Sequence, residues 1–199
     1  MTVLVTSFDA FGAAARNASQ ELLQALPERI DGMRLFKRVL PTVFGRAADE
    51  AIRLIDTLHP DAVVCLGQAE GRDAISPERV AINLMDARIP DNEGFYPCDE
   101  PIDPEGPAAY FSTLPIRRMT AAMCEAGVPA KISNTAGTYV CNSLMYALLR
   151  HFAVCGAPVP CGFIHVPLAD GMPCRADVPT LPADDMRRAL VAALRCLAR

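Results

Sequence analysis

A thiol, an imidazole and a carboxylate are the side chains from which this sequence could build a nucleophile, its base and an orienting group. Cys141 stands in Ser133-Asn134-Thr135-Ala136-Gly137-Thr138-Tyr139-Val140-Cys141-Asn142, where small and hydroxyl residues around Gly137 give way to an amphipathic run reaching Arg150. That pattern predicts a short strand, a loop and a helix beginning between Tyr139 and Asn142. A cysteine in the first turn meets unpaired backbone N–H groups and the positive end of the helix dipole, which favour thiolate over thiol. The alternative is one more buried cysteine in a chain that has eight.

There are only three histidines. His59 precedes Pro60 at a helix end and His151 closes a helix, settings that suit structural or solvated roles. His165 lies in Gly162-Phe163-Ile164-His165-Val166-Pro167, an apolar strand, where it is either a core histidine held by one hydrogen bond or a base at a strand end. Glu78 opens the alternating Val80, Ile82, Leu84 segment. It reads either as a strand-end carboxylate paired with a nearby arginine or as the group that orients an imidazole. Spacing alone does not bring the three together.

The elements that must position them follow from hydrophobic period. Val3-Leu4-Val5 and Ala62-Val63-Val64-Cys65-Leu66-Gly67 are continuous apolar runs, expected of strands buried on both faces, and Met33 to Leu40 is a strand ended by Pro41. Between them lie a helix capped by Asn17 or Ser19 and running to about Leu26, and another from about Arg46 to Leu58. Phe8 to Ala13 reads as a loop. Ala87 to Pro107 is a long irregular segment, Ile116 to Ala126 a helix, Ala130 to Ser133 a strand, and Ala183 to Leu197 a last helix. This β-α-β-α-β order predicts an α/β fold with a largely parallel sheet and functional groups at the carboxyl ends of strands.

Composition narrows the field. At 199 residues, with 51% hydrophobic and 21% charged residues, the chain is expected to form one domain over 1–199. A formal net charge of -4 with scattered basic residues argues against nucleic acid as a partner. The start of the chain has no signal-peptide pattern and no apolar run long enough to span a membrane is present, so a cytoplasmic protein is expected. The cysteines form no C-x-x-C pair and mostly sit in apolar patterns, which favours free thiols over a disulfide framework or a structural zinc site. The glycines of Gly67-Gln68-Ala69-Glu70-Gly71 lack dinucleotide-loop spacing, and no phosphate-binding lysine follows them.

Three stretches together, Glu78-Arg79-Val80-Ala81-Ile82-Asn83, Ser133 to Asn142 and Gly162 to Pro167, resemble pyroglutamyl peptidase type I, the cysteine peptidase also called pyrrolidone-carboxylate peptidase. The resemblance extends from Thr6-Ser7-Phe8-Asp9-Ala10-Phe11-Gly12 to the final helix. It implies a three-layer α/β/α sandwich with a mostly parallel, mixed twisted sheet, a homotetramer, and no metal or organic cofactor. It implies hydrolysis of the amide after an N-terminal pyroglutamyl residue of peptides, with Cys141 as nucleophile, His165 as base and then acid, and Glu78 as orienter. Phe8, Phe11, Thr42, Ile89, Tyr139 and Val140 fall where the family lines its pocket. Asn17 and Gln68 fall where main-chain groups meet the lactam, and Arg88 lies near the nucleophile as an oxyanion donor or a structural group.

The sequence departs from the family pattern at Ser7, Ala10, Ala13 and Ala18, which replace a usual glycine, proline, glycine and proline in the first pocket loop. Tyr139 stands where phenylalanine is common, and Ser143 where histidine is frequent. Two other readings stay open at this point. One is a non-catalytic α/β binding protein of the same fold; the other is a cysteine amidase for another small cyclic or acyl amide.

Overall fold

The computed structural model describes residues 1–198. In chain order, β1 (Thr2–Phe8), α1 (Ala18–Ala25), β2 (Arg29–Ile30), β3 (Met33–Leu40), α2 (Arg46–Leu58) and β4 (Ala62–Gln68) form the first half. Three short strands follow, β5 (Ser76–Pro77), β6 (Val80–Ile82) and β7 (Ala109–Phe111), and then α3 (Ile116–Glu125) and α4 (Val140–Cys155). The chain finishes with β8 (Cys161–Val166), β9 (Leu168–Ala169), β10 (Thr180–Leu181) and α5 (Ala183–Arg195). Among the described residues no helix is long and apolar enough to cross a membrane.

The main sheet has the order β2-β3-β1-β4-β8-β5. Its four inner strands run parallel, while β2 and β5 lie antiparallel at the two edges. Side chains alternate across a strand, and here that alternation sorts the core into two layers. Val3, Val5, Val64, Leu66, Ile164 and Val166 pack with α1, α3 and α5 on one face. Leu4, Phe8, Val63, Cys65, Cys161 and Phe163 pack with α2 and α4 on the other. The result is the expected α/β/α sandwich. His165 shares the parity of Cys161 and Phe163, so its ring is carried on the α4 side.

Three sequence expectations need correction. Phe8 is the last residue of β1 rather than a loop residue, since its pairing with Leu40 continues the ladder. Ala130 to Ser133 is not a regular strand. Its parallel ladder with residues 75–79 uses Ile75 N–H to Pro129 O, Lys131 N–H to Ile75 O, Ser133 N–H to Pro77 O and Arg79 N–H to Ser133 O. Pro77 has no N–H to fill the middle rung, and two isolated bridges remain, at Ala130 and Ser133. His151 does not close its helix. The helix α4 continues to Cys155 and is stopped by Gly156 in the left-handed region, at φ 64°.

Candidate active site

The first turn of α4 is set by its neighbours. Gly137 takes φ 78°, a turn that L side chains resist, and Tyr139 is the extended N-cap residue. Asn142, wholly buried, accepts from Ile82 N–H at 2.9 Å and donates to the carbonyls of Ile82 and Leu84 at 2.9 and 3.0 Å. One side chain thus imitates a strand partner and pins the helix start to β6. The first N–H groups of the helix, including those of Val140 and Cys141, have no acceptor within it.

Cys141 is partly exposed and lies over the end of β4. A Cβ added at Gly67 would stand 3.1 Å from Cys141 Sγ and 2.7 Å from the Phe163 ring, so only glycine lets both approach. Gly67 pairs directly with His165 in the parallel β4–β8 ladder, with neighbouring strands about 4.8 Å apart. The sulfur and the imidazole are therefore neighbours by register. His165 in turn packs against Phe163, with ring centroids 4.7 Å apart.

The third group comes from the far edge of the sheet. Ser76 in β5 pairs antiparallel with His165, and Glu78 N–H donates to Phe163 O at 2.8 Å, which brings the Glu78 carboxylate behind the ring. Glu78 is fully buried, and its Oε1 lies 2.7 Å from His165 Nδ1. With a carboxylate as partner, Nδ1 carries the proton and Nε2 keeps its lone pair. The same Oε1 is also ion-paired with Arg72, with Nη2 at 2.8 Å. One oxygen thus lies against both the arginine and the imidazole that the sequence offered as its neighbours.

Electrostatics overturn one expectation. Burial pushes the Cys141 thiol up to about 12, with the charges of Glu78 and Cys65 acting in the same direction; Arg72 and a local backbone hydrogen bond oppose them. The ~0.3–1 kcal/mol of a helix terminus is worth less than one decade of acidity, so the dipole does not win. Burial also holds His165 below its ordinary range. Glu78 pulls it back up through its hydrogen bond and charge, and Arg72 pushes it down. Burial thus disfavours the charged form of both groups, so the site does not favour a stored thiolate and leaves the neighbouring imidazole as the acceptor for the Cys141 proton.

Cys141 and His165 open into a cavity of about 650 Å³, a size suited to a small molecule. Phe8, Phe11, Thr42, Ile89 and Tyr139 line it, as do Asn17, Gln68 and Arg88. Val140 does not. Successive helix residues turn by about 100°, so with Cys141 facing the cavity Val140 points into the core, 1% exposed. The Asn17 side chain is occupied in structure, donating to Asp9 O and accepting from Ser19 N–H and Oγ. Arg72 also borders the cavity and was not singled out from the sequence. The signal for it was the expectation of an arginine partner for Glu78.

Comparison with known proteins settles the kinship. Residues 1–199 match the family profile described as "Pyroglutamyl peptidase". The chain belongs to the pyroglutamyl peptidase family. It is 46% identical over 198 residues to the pyrrolidone-carboxylate peptidase of Levilactobacillus brevis, covering 99% of this chain and 97% of that one. It is 44% identical over 200 residues to pyrrolidone-carboxylate peptidase 1 of Caldanaerobacter subterraneus subsp. tengcongensis, covering 100% and 98%. The crystal structure of pyroglutamyl peptidase I from Bacillus amyloliquefaciens superposes with a TM-score of 0.95 at 40% identity, covering 100% of this chain and 95% of that one.

Within this family frame the departures have physical addresses. Ser7 shares the parity of Val3 and Val5, so it points to the α1 layer and away from the cavity; its buried Oγ has no hydrogen-bond partner among the described residues. Ala18 supplies an N–H that proline would lack, and Gln68 Oε1 accepts it at 2.7 Å. Tyr139 finds a partner for its hydroxyl, donating to Pro90 O at 3.0 Å. Ser143 is buried in α4, its N–H bonded to Tyr139 O.

Proposed function

We propose that this member of the pyroglutamyl peptidase family is a cysteine exopeptidase that removes an N-terminal pyroglutamyl residue from peptides, with Cys141 as nucleophile, His165 as base and acid, and Glu78 as orienter. The observation that carries the reading is the convergence of Sγ and the imidazole on one apolar-walled cavity, with a fully buried carboxylate 2.7 Å behind the ring.

His165 Nε2 takes the Cys141 proton as Sγ attacks the carbonyl carbon joining pyroglutamate to the next residue. The rising oxyanion is met by N–H groups at the start of α4. Collapse breaks the C–N bond, and the imidazolium returns its proton to the departing amine, leaving a thioester. Water gives a proton to the same imidazole and adds to the thioester carbon. The second collapse releases pyroglutamate and restores the thiol. Glu78 holds Nδ1–H throughout, which keeps Nε2 free at each transfer.

The cavity suits the substrate. A pyroglutamyl ring has lost its ammonium group by cyclising, so a neutral lactam enters between Phe8, Phe11, Ile89 and Tyr139 at little desolvation cost. Main-chain groups near Asn17 and Gln68 supply one donor and one acceptor to fix the ring, and Thr42 closes the wall. An open-chain glutamine would carry a charge into the same slot at a cost of several kcal/mol, roughly.

The reading extends to a single domain over 1–199 working in the cytoplasm as a homotetramer, without cofactor, nucleic acid or membrane. Phe111 and Ile82, 69% and 36% exposed on one face of the β6–β7 ribbon, offer apolar area for contact between copies. The test is hydrolysis of pyroglutamyl-7-amino-4-methylcoumarin beside the glutaminyl analogue. Turnover of the first alone supports the reading. Binding of the first without turnover, or no interaction at all, overturns it.

A further inference from the structure

We propose that Arg72 is a positioning residue for this reaction, holding the Glu78 carboxylate against the His165 ring and tying it to the loop that precedes Cys141. The proposal rests on the assignment of Cys141, His165 and Glu78 made above.

Three contacts carry it. Glu78 Oε1 is ion-paired with Arg72 Nη2 at 2.8 Å and hydrogen-bonded to His165 Nδ1 at 2.7 Å, so one oxygen is held from two sides. Glu78 Oε2 is buried with no hydrogen-bond partner among the described residues, which leaves Oε1 to locate the group. Arg72 Nη2 also donates to Thr135 O at 3.2 Å, and Thr135 belongs to the turn that sets up α4. A side chain only 21% exposed thus joins the orienter to the segment carrying the nucleophile, while itself bordering the cavity.

The charge matters as well as the position. Against His165 stand Glu78 from the edge segment, Arg72 from the loop after β4, and Cys141 at the start of α4. Cys65 occupies the same face of β4, and Glu70, Asp86 and Arg88 border the cavity. Of these, Arg72 and Glu78 act on the imidazole in opposite senses. Arg72 offsets part of the Glu78 field, which keeps the imidazolium acidic enough to give its proton to the leaving amine.

The sign of the effect follows. Removing the Arg72 cation raises the proton affinity of both His165 and Cys141, so the whole pH profile of kcat/KM moves to higher pH. Arg72→Gln is expected to lower kcat by roughly ten- to a hundredfold, with KM changed by less than about threefold, and to shift the acid limb upward. The rate of iodoacetamide alkylation at Cys141 shifts upward in pH with it. Arg72→Lys keeps the charge and restores the limb, but recovers only part of kcat, because an ammonium lacks the planar fork.

Wild-type turnover of pyroglutamyl-7-amino-4-methylcoumarin with an inactive Cys141→Ser control secures the underlying reading independently. Given that, an Arg72→Gln acid limb coincident with the wild type overturns the role of Arg72 alone, as does a loss of rate that merely tracks a fall in melting temperature. If the glutamine variant does not fold, the lysine variant decides: a lowered kcat with KM within about twofold supports the role, and a wild-type kcat overturns it.

Discussion

The reacting groups and the wall they face are held by different means. His165, Gly67 and Glu78 take their places from main-chain ladders in buried strands: Gly67 opposite His165, Ser76 opposite His165, and Glu78 N–H on Phe163 O. Phe11, Ile89 and Tyr139 stand outside the sheet, and Ile89 is 43% exposed. Side chains hold that region together. Asp9 Oδ1 accepts from Thr42 N–H and Oγ1 at 2.8 Å each and from Asn92 at 3.2 Å, while Asp91 Oδ1 accepts from Glu93 and Phe95 N–H at 2.9 Å. Ladder register is hard to shift without unfolding the strand, whereas a loop held by a few polar contacts can adjust. Substitutions at the first region should therefore act on kcat, and at the second on KM.

The largest break in that contrast is chemical. Cys141→Ser is expected to abolish turnover, a loss of at least ~10⁴-fold in kcat, with the melting temperature little changed. Alkylation should localise the loss. The exposed thiols Cys98, Cys124, Cys155 and Cys174 can be modified without effect on rate, and inactivation follows Cys141 alone, as peptide mapping would show. Retained activity after stoichiometric modification of Cys141 would remove the nucleophile assignment.

Next in size is Glu78→Gln. An orienter that loses its charge still hydrogen-bonds, but it no longer fixes the tautomer, so kcat should fall by roughly 10²- to 10⁴-fold with KM nearly kept. The pH profile gives the sign. Glu78 raises the proton affinity of His165 through its hydrogen bond and its charge. Without that charge the folded-state value falls further below the ordinary range, and the acid limb of kcat/KM moves to lower pH. That direction is opposite to the one expected for Arg72→Gln, although both residues meet at one carboxylate oxygen. Limbs that shift the same way in the two variants would show that the groups do not share one electrostatic unit.

Much of this division was readable before any coordinates. The long strands and all five helices announced themselves because an apolar run or period marks elements of six or more residues, and Met33–Leu40 and Arg46–Leu58 fall where the pattern put them. Of the strands of two or three residues only β6, in the alternating Val80 to Leu84 segment, was marked by its pattern; β2, β5, β7, β9 and β10 are too short to display a period. The cost of missing β5 was specific. Glu78 and His165 are 87 positions apart, and only the antiparallel edge pairing of Ser76 with His165 explains their meeting. Residue types nominated the candidate groups; the family resemblance, not spacing, joined them. The resemblance also put Val140 in the wall, where helix rotation turns it into the core.

A smaller and purely steric test acts where the two regions touch. Gly67→Ala would set a methyl 2.7 Å from Phe163 and 3.1 Å from Cys141 Sγ, so the ring or the helix start must give way. Overpacking of this kind costs about 1–3 kcal/mol, read as a lowered midpoint in urea. Because the sulfur is among the crowded atoms, kcat should fall as well. A variant with native stability and native rate would mean that the sheet end is more compliant than the ladder implies.

The smallest expected effect lies on the wall itself. Tyr139 packs edge-on against Phe44, with centroids 5.3 Å apart, tilts against Phe11 at 6.1 Å, and donates its hydroxyl to Pro90 O. Burial, Asp91 and Cys141 push the phenol up to about 12, so it remains a donor at any working pH. Tyr139→Phe keeps both ring contacts and frees the Pro90 carbonyl to water, a change worth about 0.5–1.5 kcal/mol at most. KM should rise by roughly two- to fivefold while kcat holds, because the Phe11 and Ile89 side of the slot loosens and the ladder behind His165 does not. A kcat that falls more than KM rises would place Tyr139 with the reacting groups instead of the wall, and would end the contrast between a rigid end and an adjustable one.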